Sequence, residues 1–289
     1  MTKGISSAFR PYGSSQIDPV LVVLWVVLIG FAVVWMGPTV FIIFTSLKSQ
    51  ATITQAGAFS LPTEWLFQNY VDAWERGRFG TTLINSTVIT FVKVPLGLFV
   101  SAMAAYALSR ISIPGGRVVL LLIIFGAMIP FQVLLAPLFT LIRGFGLINT
   151  YFGVFLPYVA FGLPYQVFIL HGFFKEVPNE LSEAALIDGA SHFTIFWRVF
   201  LPISLPVLAA LLIFDFVSTW NEFAMALVLL LDSDMWTLPL GLMVFQGEFA
   251  TEYGPLNAAI IMTVLPAVIV YLIFQRYFVS GLTSGAVKG

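Results

Sequence analysis

Residues 183–202 read EAALIDGASHFTIFWRVFLP and lie between two strongly apolar segments of a 289-residue chain that is only 9% charged. Carboxylates, a glycine and an arginine make this stretch an amphipathic island in a chain with 59% hydrophobic residues and 29 phenylalanines. Such a composition lies far outside the range of soluble domains. The sequence therefore predicts an integral membrane protein in which the island connects two membrane spans.

The composition also excludes several classes of function. The formal net charge is −1 and the basic residues do not cluster, which argues against a nucleic-acid partner. The absence of cysteine excludes disulfides, thiolate catalysis and cysteine-ligated metals. His171 and His192 have no acidic cluster at metal-ligand spacing. No metal site, bound cofactor or catalytic residue is predicted for this chain.

Six segments are long enough to cross a membrane, since about 30 Å of hydrocarbon requires roughly 20 mostly apolar residues. The first is too long, and too soon followed by others, to be a cleaved signal peptide. We predict one all-α membrane domain over 19–279, with tails at 1–18 and 280–289. The predicted spans are 19–44, 83–108, 118–142, 151–173, 203–231 and 256–279.

Basic residues predict the orientation, because they are retained on the cytoplasmic side of a membrane. One side would collect eight basic residues: Lys3, Arg10, Arg110, Arg117, Lys175, Arg198, Arg276 and Lys288. The opposite side would hold Lys48, Arg76, Arg78 and Arg143 beside seven acidic residues. Both termini and the island are therefore predicted to be cytoplasmic, and the loops 45–82 and 232–255 to be external.

The island has the signals of a short helix followed by a turn. Pro178 and Asn179 suit a helix start, with Glu180 and Glu183 in the first turns near the positive end of the helix dipole. Gly189 is expected to end this helix in a left-handed conformation. Such a unit could be a simple interfacial turn or a docking element, and physical reasoning favours neither.

A second short segment is predicted to follow the turn. Ser191 is a suitable helix cap, and aromatic residues then recur at helical spacing. Leu201-Pro202 is expected to begin the next span. The recurring aromatic residues are Phe193, Phe196, Trp197 and Phe200.

Glu183-Ala184-Ala185, Asp188-Gly189-Ala190 and Leu201-Pro202 together resemble the EAA signature of permease subunits of bacterial ABC importers. Three further pieces are similar to the maltose-type (MalG-like) permeases of the carbohydrate-importing branch: AAYALSR at 104–110, STWNEF at 218–223, and the tail at 275–289. The resemblance extends from the first span to the last residue.

The resemblance implies an ABC importer type I permease fold with six membrane helices in the bacterial inner membrane. It also implies three kinds of protein partner: a second, homologous permease, a dimer of cytoplasmic ATPases that bind ATP and Mg²⁺, and an external solute-binding protein. The segment 178–200 would be the coupling helix that docks on the ATPase. The implied coupling residues are Glu183, Ala184, Ala185, Asp188, Gly189, Leu201 and Pro202.

This chain itself is not predicted to hydrolyse ATP. It has no G-x-x-x-x-G-K-[ST] loop, whose backbone amides would bind phosphate. Any ATP chemistry is therefore assigned to the partner subunits.

Ionisable residues inside membrane spans are candidates for functional sites, because their burial is unfavourable. Lys93 in the second span could contact an anionic or hydroxyl-rich solute, or could pair with a carboxylate. A structural hydrogen bond or ion pair is expected for Asp215. Further out on the same span, the candidate residues of the substrate path are Trp220, Asn221 and Glu222, and an ordinary packing role is the favoured alternative for Trp220 unless it faces the cavity.

The outer loop 247–255 is a candidate contact for the binding protein, through Phe249, Glu252 and Tyr253, although a plain extracellular turn is the alternative. The expected function is half of the translocation path of a binding-protein-dependent sugar importer that works by alternating access. The alternative is a self-contained, ion-coupled carrier or channel. Neutral sugars are the default substrates, and Lys93 leaves acidic sugars or glycerol phosphate compounds open.

Overall fold

The protein was described from a computed structural model that covers residues 19–57, 60–247 and 251–286, with side chains described as far as Gln275. Within these ranges the chain is helical and contains no strand beyond an isolated bridge between Gln246 and Thr251. The first eight helices are α1 (Pro19–Ser46), α2 (Gln50–Ala56), α3 (Gln68–Arg76), α4 (Phe79–Arg110), α5 (Gly116–Gly126), α6 (Phe131–Gly144), α7 (Tyr151–Glu176) and α8 (Asn179–Ile187).

The remaining helices follow the island. They are α9 (His192–Ile203), α10 (Leu205–Trp220), α11 (Ala224–Leu229), α12 (Leu238–Gly241) and α13 (Tyr253–Ala286), with short 3₁₀ turns at Ser233–Met235 and Leu242–Phe245. The predicted N-terminal tail, 1–18, lies outside the described residues. The predicted C-terminal tail is helical through Ala286, because α13 continues past the expected end of the last span.

The all-α membrane fold is confirmed. In the described part of the chain, α1, α4, α7 and α13 are continuous helices long and apolar enough to cross a membrane. Two further spans are bent helix pairs, α5 with α6 and α9 with α10. Counting each pair as one span gives the predicted six.

The third predicted span, 118–142, is broken in its middle. Helices α5 and α6 meet at 98° across residues 127–130. Pro130 has no N–H group, and proline disfavours the helical conformation of the residue before it. The break lies beside a cavity, where non-helical backbone at membrane depth is tolerated.

The fifth predicted span, 203–231, also differs from the expectation. Helix α9 runs through Leu201 and Pro202 instead of ending before them, and the chain bends by 75° before α10 begins. Residues 196–200 of α9 are wound as a π-helix, in which the N–H of Leu201 bonds to the carbonyl of Phe196. Because Pro202 cannot donate a backbone hydrogen bond, this local widening fits the proline into a continuous helix.

The core forms where α4 packs against α7 and where α10 packs against α13. Phe174 of α7 and Phe200 of α9 are fully buried, with ring centroids 5.4 Å apart. By contrast, α1 is exposed along its hydrophobic length and is buried only at its last two residues, Thr45 and Ser46. The long apolar surface of α1 is therefore available to lipid or to another membrane subunit.

The residues predicted to be external lie together at one end of the molecule. Arg76 makes a two-pronged ion pair with Glu252, with N–O distances of 2.5 and 3.0 Å. Arg78 contacts Asp234 at 2.5 Å and Ser233 at 2.9 Å. These contacts join the end of α3 and the turn before α4 to the segments on both sides of α12, so the two predicted external loops, 45–82 and 232–255, form one surface.

Candidate functional site in the membrane cavity and the coupling segment

A cavity of about 670 Å³ lies between α4, α7, α10 and the break that separates α5 from α6. Its wall combines aromatic rings with a small number of polar side chains, as is usual for small-molecule sites. The aromatic rings are Phe131, Tyr158, Phe161, Tyr165 and Phe214, and the polar or charged residues are Lys93, Gln132, Gln166, Asp215, Ser218, Thr219 and Glu222.

An ion pair lies in the wall of this cavity. Lys93 of α4, only 3% exposed, donates hydrogen bonds to Asp215 Oδ1 and, over 3.1 Å, to Thr219 Oγ1 on α10. Two buried opposite charges compensate each other where either one alone would be strongly unfavourable. The expected pairing of Lys93 with a carboxylate and the expected ion pair of Asp215 thus prove to be the same interaction.

Gln166 of α7 extends this polar cluster. Its Oε1 accepts a hydrogen bond of 2.6 Å from Ser101 of α4. A Cβ atom added at Gly162 would lie 3.3 Å from both Lys93 Nζ and Gln166 Nε2. The absence of a side chain at Gly162 therefore allows α7 to pack close to the ion pair.

Glu222 lines the same cavity but already has three hydrogen-bond donors. Tyr158 donates to its Oε2, and the backbone N–H groups of Met225 and Ala226 donate over 2.8 and 3.0 Å. The carboxylate thus caps the start of α11, where a negative charge suits the helix dipole. Its contacts define a structural role as well as a place in the cavity wall.

The structure separates the other two candidate residues of the substrate path from this cavity. Trp220 is buried, donates a 2.9 Å hydrogen bond to the carbonyl of Thr263, and stacks on Phe216. Asn221 lies at a second cavity of about 340 Å³ on the side of α13. Three consecutive residues therefore meet three environments, because α10 ends at Trp220 and the chain leaves the helix at Asn221 and Glu222.

The island forms the predicted short helix and turn. Helix α8 begins at Asn179, and Gly189 has the expected left-handed conformation with φ of +79°. The N–H of Ala190 bonds to the carbonyl of Ala185, and that of Gly189 to Leu186, which together make a Schellman motif. Ser191 caps α9 by accepting a 3.2 Å hydrogen bond from the N–H of Thr194, so both capping predictions are confirmed.

Most of the predicted coupling residues are accessible from outside. Glu183, Ala184, Asp188 and Gly189 are exposed, and Ala185 is half-buried against the core. Exposed apolar residues lie beside them, with Ile187 86% exposed. Between α8 and α9 a groove of about 650 Å³ is lined by Ala185, Asp188, Gly189, Ala190, Ser191, Thr194, Ile195, Arg198 and Val199.

One arginine joins the island to the membrane helices. Arg110, the last residue of α4, donates to the carbonyls of Phe174 and Val177 at the end of α7 and to Asn179 Oδ1 at the start of α8. Its guanidinium carbon lies 5.0 Å from the ring centroid of Phe200 in α9. A single side chain thus joins four helices, and its charge suits the C-terminal end of α7.

The outer loop was a third candidate site. Glu252 is committed to the ion pair with Arg76, and that hydrogen bond lowers the pKa of the Glu252 carboxyl. Tyr253 is exposed at the start of α13, and its N–H donates to Gln50 Oε1 over 3.1 Å. Phe249 lies outside the described residues.

Comparison with known proteins identifies the protein family of this chain. Residues 93–284 match the family described as "Binding-protein-dependent transport system inner membrane component". The chain belongs to this family. The matched region begins at Lys93 and includes the cavity, Arg110 and the island, so the observed helices are those of a transport permease. The resemblance that the EAA-like residues indicated is confirmed.

Individual relatives are similar along nearly the whole chain. A diacetylchitobiose uptake permease of Streptomyces coelicolor, NgcG, is 36% identical over 100% of this chain and 93% of its own length. A sulfoquinovosyl glycerol permease of Agrobacterium fabrum, SmoH, is 34% identical over 87% of this chain and 88% of its own. In a solved bacterial ABC transporter that imports the acidic polysaccharide alginate, one chain superposes with a TM-score of 0.78 at 28% identity, covering 93% of this chain and all of that chain.

Several residues of the site were not found from the sequence. Gln166, Gly162 and Tyr158 lie on α7, whose sequence was interpreted only as a membrane span. The amide at Gln166 was the available signal, because a polar side chain inside an apolar span requires a partner. Arg110 ends the family-like stretch AAYALSR, but its contacts join segments that are distant in sequence.

Proposed function

We propose that this chain is one of the two permease subunits of an ATP-driven, binding-protein-dependent importer of sugars. The observation that carries the proposal is the similarity to NgcG along the whole chain. SmoH and the alginate transporter add two further importers of sugars or sugar derivatives. The cavity supports it with aromatic rings that suit the apolar faces of sugars and polar groups that suit their hydroxyls.

The proposed complex contains a second permease, two cytoplasmic ATPase subunits and an external binding protein. The cavity of this chain is only partly enclosed, as half of a path shared with a homologous subunit would be. The exposed apolar length of α1 offers a further surface for contact within the membrane. ATP and Mg²⁺ bind to the ATPase subunits, and this chain hydrolyses no nucleotide.

Both termini and α8 face the cytoplasm in this proposal. Basic residues support it, since Arg110, Lys175 and Arg198 lie near the ends of α4 and α7 and in α9. Helix α8 then reaches the ATPase with Glu183, Ala184 and Ala185. Closure of the ATPase dimer moves α8, and Arg110 transmits this movement to α4 and α7.

The self-contained carrier is the weaker hypothesis. It relied on Lys93, Asp215 and Glu222 as an ion pathway. Lys93 and Asp215 pair with each other, and Glu222 caps α11. All three charged side chains are therefore already engaged in contacts within the chain, whereas an ion-coupled carrier would need them to bind the transported ion.

Reconstitution into vesicles tests the function. Uptake of sugar is expected only when the second permease, the ATPases, ATP and a binding protein are all present. Uptake by this chain alone, driven by an ion gradient, would show a carrier instead. For the coupling role, Glu183→Lys is expected to abolish binding-protein-stimulated ATPase activity. Glu176→Lys is the matched control, because it makes the same charge change at an exposed residue before α8.

A further inference from the structure

The charge of the cavity wall bears on which sugars can enter it. Among the described residues that line the cavity, the basic and acidic side chains are one lysine, Lys93, and two carboxylates, Asp215 and Glu222. Other basic residues of the described chain lie at the two ends of the molecule, for example Arg76 and Arg78 at one and Arg110 at the other. The wall contributed by this chain therefore has more negative than positive charge.

The single cation is not available to an anionic ligand. Lys93 is buried, and its ammonium donates to Asp215 and to Thr219. An anionic ligand would have to displace Asp215 and leave that carboxylate buried without its partner, which is strongly unfavourable. An anionic solute in this half of the cavity would lack a counter-charge from the chain.

Acceptors for hydroxyl groups are present in the same place. Asp215 Oδ2 is buried and accepts no hydrogen bond of standard geometry in the described part of the chain, although the amide of Gln166 lies near. Because this oxygen has no accessible surface of its own, a bound solute meets the wall through the exposed Ser218 and Gln132. The hydroxyl and amide groups of these two side chains can form hydrogen bonds with sugar hydroxyls.

We propose that this chain contributes a solute subsite, at Gln132 and Ser218 beside the Asp215–Lys93 ion pair, that accepts uncharged, polyhydroxylated sugars and disfavours sugar carboxylates, sulfonates and phosphates. The proposal rests on the sugar-import function proposed above. It separates this chain from relatives named for charged cargo, such as SmoH and the alginate importer, and groups it with the diacetylchitobiose permease. Lys93 acts here as the residue that holds Asp215, and not as an anion receptor.

The test measures binding to the membrane cavity without the binding protein. The complex of both permeases and the ATPases is placed in nanodiscs, and radiolabelled N,N′-diacetylchitobiose, trehalose and raffinose are compared with digalacturonate. The wild-type complex is expected to bind at least one neutral probe about tenfold more tightly than digalacturonate. Asp215→Asn exposes the charge of Lys93 and is expected to reverse this order, with digalacturonate affinity about tenfold higher.

Two further variants keep the test valid if Asp215→Asn does not assemble. The double variant Lys93→Gln with Asp215→Asn removes both charges. The double variant Lys93→Asp with Asp215→Lys exchanges the two residues and keeps the ion pair. Both double variants are expected to retain the preference for neutral probes. Thr140→Ala is the control, since Thr140 is an exposed polar residue of α6 outside the cavity wall, and it is expected to leave all affinities unchanged.

Two results would overturn the proposal. The first is wild-type binding of digalacturonate that equals or exceeds that of every neutral probe. The second is an Asp215→Asn complex that assembles but keeps the wild-type preference. In either case, ATPase activity stimulated by a binding protein would show that the importer function itself is sound, whereas loss of that stimulation in the wild-type complex would reject the function.

Discussion

The ion pair in the cavity wall and the proposed coupling segment around α8 differ in the burial of their charged residues. Lys93 and Asp215 are buried and bind each other across 122 residues of sequence. Glu183 and Asp188, on and just after α8, are exposed, beside apolar side chains that are exposed as well. The charges of the cavity pair are therefore compensated within the chain, whereas those around α8 are exposed at the surface.

This difference indicates which region is suited to contact other proteins. Buried charges must find partners inside the fold, or their desolvation destabilises it. Exposed charges and apolar residues around a rigid Schellman turn have no such requirement and suit a surface that binds a separate subunit. Substitutions at the buried ion pair should therefore lower the stability of the fold. Substitutions on α8 should instead lower the coupling of ATP hydrolysis to transport.

The largest effect is expected from Lys93→Met, which leaves the Asp215 carboxylate buried without its partner. Loss of one member of a buried pair destabilises a protein by about 3–5 kcal/mol. The double variant Lys93→Met with Asp215→Leu removes both charges and should recover most of that stability. Thermal unfolding of the purified complex measures both. Equal destabilisation by the single and double variants would show that the pair is not the reason for the loss.

The second effect concerns Arg110→Ala, which would test the connection between the two regions. This variant loses three hydrogen bonds and the contact with Phe200, for a loss of about 2–4 kcal/mol. Transport per ATP hydrolysed should fall, because α8 is no longer tied to α4 and α7. Arg117→Ala removes an exposed arginine a few residues later and is the control. An unchanged transport-to-ATP ratio in the Arg110 variant would contradict the connection.

A smaller effect is expected at Gly189, where the left-handed φ of +79° disfavours residues with a Cβ atom. Gly189→Val should destabilise the turn by about 1–2 kcal/mol, whereas Gly189→Asn should be tolerated better because asparagine adopts this conformation more readily. There is open space around the glycine, so the effect arises from backbone conformation. The ratio of stimulated to basal ATPase activity measures it. Equal ratios for the valine and asparagine variants would exclude a conformational cause.

The smallest effect is a pH dependence at the outer surface, away from both regions. Arg76 lowers the pKa of the Glu252 carboxyl in the folded protein. The ion pair therefore stabilises the fold above the ordinary glutamate pKa, and this contribution is lost as the pH falls through the lowered folded value. Because both side chains are about half exposed, the loss should be at most about 1 kcal/mol. Comparing acid unfolding of wild type and Glu252→Gln measures it, and identical profiles would contradict the prediction.

Local sequence signals predicted the helix and turn of the island well, but they predicted the helices and contacts of the cavity poorly. The start of α8, the turn at Gly189 and the cap at Ser191 depend on residues within a few positions of each other. The break between α5 and α6 was missed, although Pro130 was visible, because hydropathy continues unchanged through it. Leu201-Pro202 was expected to begin a span, and only the π-helical winding before it keeps α9 continuous.

The sequence by itself determined that this protein crosses a membrane, that its spans are helical and that the island at 183–202 forms a helix with a glycine turn. These properties follow from composition and short-range backbone preferences, which act between near neighbours in the chain. Only the tertiary structure decided that Lys93 binds Asp215, that Arg110 joins four helices, and that Trp220 points away from the cavity. Each of these depends on helices far apart in sequence meeting in space, and hydropathy does not encode which side chains then face each other.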